Sequence, residues 1–133
     1  MLKKIEHIGI AVHSIEESLP VFESLLGSKS YKTETVNSEF VKTAFITIGE
    51  SKIELIEATS MDSPIAKFLS KNKSGFHHMA FEVDNIENEI QRLENEGFQL
   101  IHKSPKKGAD NKLIAFLHPK STNGVLIELC QEI

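Results

Sequence analysis

Two histidines and two glutamates occupy matching positions in a repeated sequence, and together they offer the side chains of a divalent-cation site. His7 and His78 open two similar apolar segments, and Glu54 and Glu128 lie inside two further segments that also match. A carboxylate between apolar neighbours is costly to bury unless it is paired or coordinates a metal. Taken alone, either glutamate would be expected to face solvent on a half-exposed sheet. Their recurrence beside matching histidines favours a shared cation site with positions left open for substrate.

The repeat is visible by direct comparison of the two halves of the chain. The segment IEHIGIAVHSIEESLPVFE at 5–23 matches FHHMAFEVDNIENEIQRLE at 76–94, and KIELIE at 52–57 matches LIELCQ at 126–131. Repetition over this length predicts duplicated structural modules. We therefore expect one domain spanning 1–133, made of two repeats at about 3–60 and 74–133.

Each repeat predicts the same order of elements. An alternating apolar segment indicates a strand, and the capping-box spacings Ser14 to Glu17 and Asp84 to Glu87 then predict helices that end at Gly27 and Gly97. Further strands are predicted in both repeats, at about 31–37, 41–48, 52–58, 98–103, 112–117 and 124–131. Each module is therefore βαβββ. A short linker helix is predicted near 63–70, with Pro64 in its first turn.

Composition excludes several classes of protein. The chain has 133 residues, of which 40% are hydrophobic and 26% charged, and its net charge of −4 disfavours nucleic-acid binding. Arg92 is its only arginine, and no apolar segment approaches the length of a membrane span. With no signal-peptide pattern and with Cys130 as its only cysteine, the sequence predicts a cytoplasmic protein. Cys130 itself is expected to be a small buried hydrophobe.

The remaining candidates are weaker. His77 points to the face of its strand opposite His78, so packing or hydrogen bonding is the expected role. His13, His102 and His118 have no counterparts in the repeat and are expected to be ordinary residues. Glycine-rich phosphate loops and nucleophile elbows are absent from the sequence, which gives covalent serine or cysteine catalysis no support.

Longer segments of the chain resemble a known family. The sequence is similar to the vicinal oxygen chelate superfamily and, within it, to the methylmalonyl-CoA epimerases. The segments that carry this resemblance are HIGIAV at 7–12, VKTAFITIG at 41–49, IELIE at 53–57, SPIAKFL at 63–69, GFHHMAFEVDNI at 75–86 and FLHPKSTNGVLIELCQ at 116–131. The resemblance covers nearly the whole chain and implies an α+β fold, in which two tandem βαβββ modules pair into an open, metal-centred, barrel-like sheet.

The resemblance also implies a ligand set. His7, His78 and Glu128 fall on metal-ligand positions, and Glu54 falls where family members carry glutamate or glutamine. The implied cofactor is a divalent ion, with cobalt first and manganese, nickel, zinc and magnesium as alternatives. The implied partners are an acyl-CoA substrate and a second copy of the chain in a homodimer, with neither nucleic acid nor membrane.

The implied reaction moves the proton on C2 of methylmalonyl-CoA between the (R) and (S) forms. Glu128 is expected to act as one base, and Glu54 as a ligand and as the base on the opposite face. Some members carry a glutamate, proposed as a second base, on the strand before Glu54. In this chain the same neighbourhood offers Lys42 and Thr43, so the identity of the second base stays open. The expected substrate contacts are Lys106, Lys107, Lys120 and Ser121.

Three alternatives remain open at the level of sequence. A lactoylglutathione lyase (glyoxalase I) would use the same two histidines and two glutamates for proton transfer. A metal-free module of the same fold would bind a small molecule without catalysis. An iron-dependent ring-cleaving dioxygenase is disfavoured, because two histidines and one carboxylate would suffice there.

Overall fold

The computed structural model describes residues 1–72 and 75–133, and in these residues it has eight strands and three α-helices. The elements are β1 (Leu2–Ala11), α1 (Ile15–Leu26), β2 (Lys32–Val36), β3 (Val41–Ile48), β4 (Ser51–Ala58), α2 (Pro64–Lys71), β5 (Gly75–Val83), α3 (Ile86–Asn95), β6 (Lys106–Lys107), β7 (Lys112–Leu117) and β8 (Ile127–Glu132). Short 3-10 turns span Asn37–Glu39 and Pro119–Ser121. The predicted βαβββ order is confirmed in both repeats, and α2 is the predicted linker helix. The expected start of the second repeat, at residue 74, lies outside the described residues.

The chain divides into two compact units. The first unit is Ile8–His77, and the second unit combines Met1–His7 with His78–Ile133. Both β1 and β5 therefore contribute residues to each unit. In the described part of the chain, no helix is long and apolar enough to cross a lipid bilayer.

In the first unit the strands follow the order β2-β3-β4-β1, with β3 antiparallel to both β2 and β4. The apolar stripe of α1 packs on this sheet, because Ile15 joins a buried cluster with Val12, Ala44 and Leu55. The linker helix α2 covers a second cluster through Ile65. Burying a side chain such as Leu55 contributes roughly 1.5–3 kcal/mol, so these two clusters hold β4 in place.

In the second unit the order is β1-β5-β8-β7-β6. Strand β8 runs parallel to β5 and antiparallel to β7, and this register places Glu128 opposite Ala80 on one side and Phe116 on the other. Helix α3 packs its buried Ile86, Ile90 and Leu93 against Val83, Ala115 and Leu129. The packed helix therefore fixes β8, which carries Glu128.

The two long helices begin in the same way in the two units. Ser14 accepts a hydrogen bond from the Glu17 amide at 3.2 Å, as its spacing predicts, and the Ile15 amide donates to Oε1 of Glu57 at 2.7 Å. In the second unit the Ile86 amide donates to Oε1 of Gln131 at 2.7 Å. Glu57 and Gln131 are equivalent in the repeat, so the strand that carries each site glutamate also holds a helix N-terminus.

The predicted cap of α3 was wrong by one residue. Asn85, not Asp84, caps the helix, and its Oδ1 accepts from the Asn88 amide at 3.0 Å. Asp84 precedes the cap and pairs with Lys3 at 3.3 Å. The predicted end of α1 is confirmed, because Gly27 caps it in the left-handed conformation with φ 68°. Helix α3 ends at Asn95 with Glu96 as its C-cap, and the predicted Gly97 follows directly with φ 95°.

The prediction of a strand at 98–103 was also wrong. Leu100 makes only an isolated bridge to Leu117, although the Ile101 amide donates to the Phe116 carbonyl at 2.7 Å. Pro105 follows and has no amide hydrogen to continue a ladder. The paired strand is instead the two-residue β6, which aligns Lys106 with Ile114.

The last strand begins later than the predicted 124–131, because Gly124 and Val125 belong to a turn. The Gly124 amide donates to the Pro119 carbonyl and the Val125 amide to the Thr122 carbonyl, and β8 starts only at Ile127. The predicted 41–48 and 112–117 match β3 and β7, while β2 and β4 differ from the predicted 31–37 and 52–58 only at their ends.

Candidate metal centre

The two repeat-related histidines meet in the second unit. His7 near the middle of β1 and His78 on β5 are both buried, and their Nε2 atoms are 3.1 Å apart. The rings meet edge to face, with centroids 5.2 Å apart. The matching nitrogen of each ring therefore points toward the same place.

Glu128 completes a cluster of three. Its Oε1 lies 3.1 Å from Nε2 of His78 and 3.7 Å from Nε2 of His7, and the residue is only 5% exposed. Burial by itself raises the pKa of the Glu128 carboxyl, but the charge and hydrogen bonds of His7, followed by those of His78, outweigh it and hold the pKa well below its ordinary value. The two imidazoles therefore favour the ionised form of the Glu128 carboxyl.

These three donor atoms suit a divalent ion. An ion such as zinc binds histidine nitrogen and carboxylate oxygen at about 2.0–2.2 Å, so ligand atoms on one ion lie roughly 3 Å from one another. The separations of 3.1 and 3.7 Å in the cluster of His7, His78 and Glu128 are of that size. The nitrogen and oxygen donors are typical of cobalt, nickel, manganese or zinc sites with open positions.

Glu54 lies in the first unit, on β4, opposite Phe45 of β3. It is 6% exposed, between the apolar residues Ile53 and Leu55. The alternative that Glu54 and Glu128 face solvent on a half-exposed sheet is therefore wrong for both residues.

One buried acidic residue beside the cluster was not identified from the sequence. Glu6 is 2% exposed, and its Oε1 lies 2.8 Å from Nδ1 of His7. The repeat did not reveal it, because its counterpart in the second copy is His77. The available signal was an acidic residue directly before the strand histidine, in a segment that is otherwise apolar.

Apolar residues also border the cluster. Phe116 packs its ring against His78 with centroids 5.7 Å apart, and it borders a buried cluster of Ala80, Ile114 and Cys130. Cys130 is fully buried, as predicted, and its Sγ lies 3.4 Å from the Phe81 carbonyl. Burial, together with the nearby carboxylates of Glu128 and Glu6, raises the pKa of the Cys130 thiol, which keeps it protonated and poorly nucleophilic.

The other histidines have structural surroundings. His77 packs edge to face on Phe68 with centroids 4.9 Å apart, and His102 packs on Phe116 at 6.0 Å. His118 accepts a hydrogen bond from the Lys120 amide through Nδ1 and so begins the 3-10 turn. His13 is exposed.

The residues expected to contact substrate lie on two elements of the second unit. Lys106 and Lys107 form β6, and Lys120 and Ser121 belong to the 3-10 turn before β8. Lys107 and Lys120 are exposed, whereas Ser121 donates to the His118 carbonyl at 2.9 Å and accepts from the Gln99 amide. Ser121 therefore has a role in shaping the turn in addition to any contact with substrate.

Lys42 and Thr43, which occupy the place of a second base in some family members, lie on β3. Lys42 is exposed, and Thr43 is buried with its hydroxyl 3.4 Å from the Glu34 carbonyl. These surroundings give neither side chain the features of a general base.

Comparison with known proteins places this geometry among related chains. Residues 6–116 match the family described as Glyoxalase/Bleomycin resistance protein/Dioxygenase superfamily. The chain is 39% identical to a mitochondrial methylmalonyl-CoA epimerase of Dictyostelium discoideum, over 95% of this chain and 76% of that one. It is 37% identical to an ethylmalonyl-CoA/methylmalonyl-CoA epimerase of Cereibacter sphaeroides, over 98% and 99% of the two chains.

A solved structure shows the same relationship. Streptomyces coelicolor methylmalonyl-CoA epimerase, in complex with 2-nitronate-propionyl-CoA, matches with a TM-score of 0.95 at 32% identity, over 99% of this chain and 96% of that one. The expected fold class, α+β with tandem βαβββ modules, is confirmed by this likeness and by the family match.

Proposed function

Because this chain belongs to the Glyoxalase/Bleomycin resistance protein/Dioxygenase superfamily and, within it, to the methylmalonyl-CoA epimerases, we propose that it interconverts (R)- and (S)-methylmalonyl-CoA. The observation that carries this function is the buried cluster of His7, His78 and Glu128. The relatives named as epimerases provide the substrate class, acyl-CoA. They lend no support to the glyoxalase I alternative.

The residues that would hold a divalent cation are His7, His78 and Glu128, with Glu54 as the fourth ligand. Glu54 is included because it is equivalent to Glu128 in the repeat and is buried to the same degree. Cobalt is the proposed ion, on the family resemblance, and manganese, nickel, zinc and magnesium are the alternatives. The chemistry that a bound divalent cation supplies is Lewis-acid stabilisation of the negative charge that develops on the substrate.

Proton transfer falls to the carboxylates. Glu128 would take the proton from C2, the electron pair of the C–H bond would move into the enolate, and a proton returned to the opposite face would give the other epimer. No electrons are gained or lost overall. Glu54 is the proposed base on the opposite face, because the nearby Lys42 is exposed and the Thr43 hydroxyl lies beside a backbone carbonyl.

The phosphates of coenzyme A are the proposed partners of the lysines in the second unit. Lys106 and Lys107 on β6 and Lys120 in the 3-10 turn carry positive charge, and Ser121 adds a hydroxyl beside Lys120. An exposed lysine binds phosphate as a point charge, so each contributes modestly.

Three broader features are part of the same proposal. Residues 1–133 form one domain of two repeats, the chain assembles as a homodimer, and the protein is cytoplasmic. A single cooperative unfolding transition would support the single domain, and sedimentation equilibrium would test the dimer. The location is supported by one buried, unreactive cysteine, as expected in a reducing compartment, and fractionation of cells would test it.

The decisive experiment follows the C2 deuterium of labelled methylmalonyl-CoA. We expect the deuterium to be lost to water in the presence of added cobalt, and the loss to slow strongly after chelation. The hemithioacetal substrate of glyoxalase I serves as the control and should not turn over. Full retention of deuterium with the metal-loaded protein would contradict epimerisation. Purified protein that contains no metal and binds no added cation would favour the alternative of a metal-free module that binds a small molecule without catalysis.

A further inference from the structure

A buried carboxylate lies directly behind one of the site histidines. Glu6 is 2% exposed, and its Oε1 is 2.8 Å from Nδ1 of His7. The other ring nitrogen of His7, Nε2, faces the cluster, at 3.1 Å from Nε2 of His78 and 3.7 Å from Oε1 of Glu128. The two nitrogens of one ring therefore face two different environments.

The chemistry of the imidazole gives this arrangement a consequence. A neutral imidazole carries one N–H and one acceptor nitrogen, whereas an ionised carboxylate can only accept hydrogen bonds. With Nδ1–H donating to Glu6, the lone pair of His7 is left on Nε2, which is the atom that faces the cluster. The partner of the distal nitrogen decides which nitrogen can bind a metal.

We propose that Glu6 is a positioning residue that holds the His7 ring with Nδ1–H toward its carboxylate and the Nε2 lone pair toward the metal centre. This inference deepens the proposed function, on whose cation site it rests. The duplicated strand does not itself require a carboxylate at this position, since the equivalent residue in the second copy is His77, which packs on Phe68. A buried carboxylate at this one position is costly unless it has a specific partner.

The test compares two substitutions at Glu6 with a matched control. Glu6→Ala removes the acceptor, and Glu6→Gln keeps its shape but removes its charge. Glu89→Gln is the control, because Glu89 is also 2% exposed in the second unit and its carboxylate is bound by Arg92 and the N-terminal ammonium instead of a site histidine. The probe is Co²⁺ alone, titrated into metal-free protein by calorimetry, so that the readout does not depend on activity.

We expect Glu6→Ala to weaken Co²⁺ binding by roughly 10- to 100-fold, which is the usual effect of removing the hydrogen-bond partner of a metal-binding histidine. Glu6→Gln should fall between this variant and the wild type, and Glu89→Gln should bind as the wild type does. Should Glu6→Ala fail to fold, the near-isosteric Glu6→Gln carries the test. Wild-type affinity in folded Glu6→Gln and Glu6→Ala proteins would overturn the assignment.

A second measurement reports the ring directly. Long-range ¹H–¹⁵N correlation spectra of metal-free protein, recorded where His7 is neutral, should show the Nδ1–H form in the wild type and a shift toward Nε2–H in Glu6→Ala. A wild-type ring that is mainly Nε2–H would overturn the inference. If the wild-type protein is inactive but the Co²⁺ affinity and the His7 tautomer both change as expected, epimerisation is rejected and the role of Glu6 stands. If the wild-type protein is active but neither the affinity nor the tautomer changes, the role of Glu6 is rejected and epimerisation stands.

Discussion

His7 and His78 are separated by 71 positions in the chain, yet their Nε2 atoms lie 3.1 Å apart in the second unit. Each histidine lies within the first strand of its repeat, at equivalent positions in β1 and β5, so the duplication brings two equivalent imidazoles together. Oε1 of Glu128 lies 3.1 Å from His78 and makes the third member. Three buried donors of this kind are suited to one divalent ion.

The first prediction concerns the base. Glu128→Gln should lower kcat for epimerisation by at least about a hundredfold, because a positioned general base contributes roughly 10²–10⁴-fold. The measurement is loss of C2 deuterium at saturating substrate, with the metal content of the variant determined in parallel. Near-wild-type turnover in the metal-loaded variant would remove Glu128 from the role of base.

The second prediction uses two adjacent histidines as a matched pair. His78→Ala should lose most of its affinity for Co²⁺, since it removes a nitrogen that faces Glu128. His77→Ala should keep that affinity, because His77 packs on Phe68 instead. Calorimetric titration measures the Co²⁺ affinity of both variants. Equal losses of affinity would show that the substitutions disturb β5 and that His78 is not a specific ligand.

The third prediction concerns removal of the metal. Chelation should abolish epimerisation, and added cobalt or manganese should restore it. The metal-bound protein should also be more stable, by about 2.7 kcal/mol when the free ion is at 100 times its dissociation constant. Thermal unfolding with and without Co²⁺ measures this difference, and identical midpoints together with full activity after chelation would contradict a metal site.

The fourth prediction concerns recognition of the coenzyme. Lys107→Ala and Lys120→Ala should raise KM for methylmalonyl-CoA by up to about fivefold each with little change in kcat, since an exposed ion pair is worth up to about 1 kcal/mol. The effect should shrink at high salt. Lys71→Ala, an exposed lysine on α2, is the control. An unchanged KM in the first two variants would reject the phosphate contact.

The fifth prediction is a pH dependence of stability at Glu89. Burial raises the pKa of the Glu89 carboxyl, but the N-terminal ammonium and Arg92 outweigh this effect, so that the net pKa is lowered. The carboxylate therefore stabilises the folded protein above the ordinary carboxyl pKa of about 4.3, and this stabilisation is lost as the pH falls through the lower folded pKa. Urea unfolding of the wild type and Glu89→Gln between pH 7 and 3 should show the difference in unfolding free energy shrinking at the acid end. A difference that stays constant would contradict this assignment.

Much of the local structure was predictable because it depends on neighbouring residues. The Ser14 cap, the left-handed Gly27 and the period of the apolar residues in α1 are local signals, and they place the helix correctly. The errors arose where tertiary contacts compete with such signals. Asp84 has the spacing of a cap but pairs with Lys3, and the segment around Leu100 has the composition of a strand but makes a single bridge.

The candidate site shows the same division. Duplication pointed to His7, His78, Glu54 and Glu128, because equivalent polar residues in two copies of an apolar segment are visible without a structure. Glu6 was invisible to that comparison, since its counterpart is His77. Its importance depends on a distance of 2.8 Å to Nδ1 of His7, which no pattern of residue types contains.

The sequence by itself determined the two βαβββ repeats, the identities of the candidate donors and the family, because these follow from periodicity, local turn chemistry and similarity along the chain. Only the tertiary structure decided that Glu128 lies between two imidazoles, that Glu6 backs His7, and that the helix N-termini rest on Glu57 and Gln131. These relationships depend on strand register, which brings together residues that are distant in sequence, and on the directions in which their side chains point. Such geometry is set by packing of the whole unit and not by any one segment.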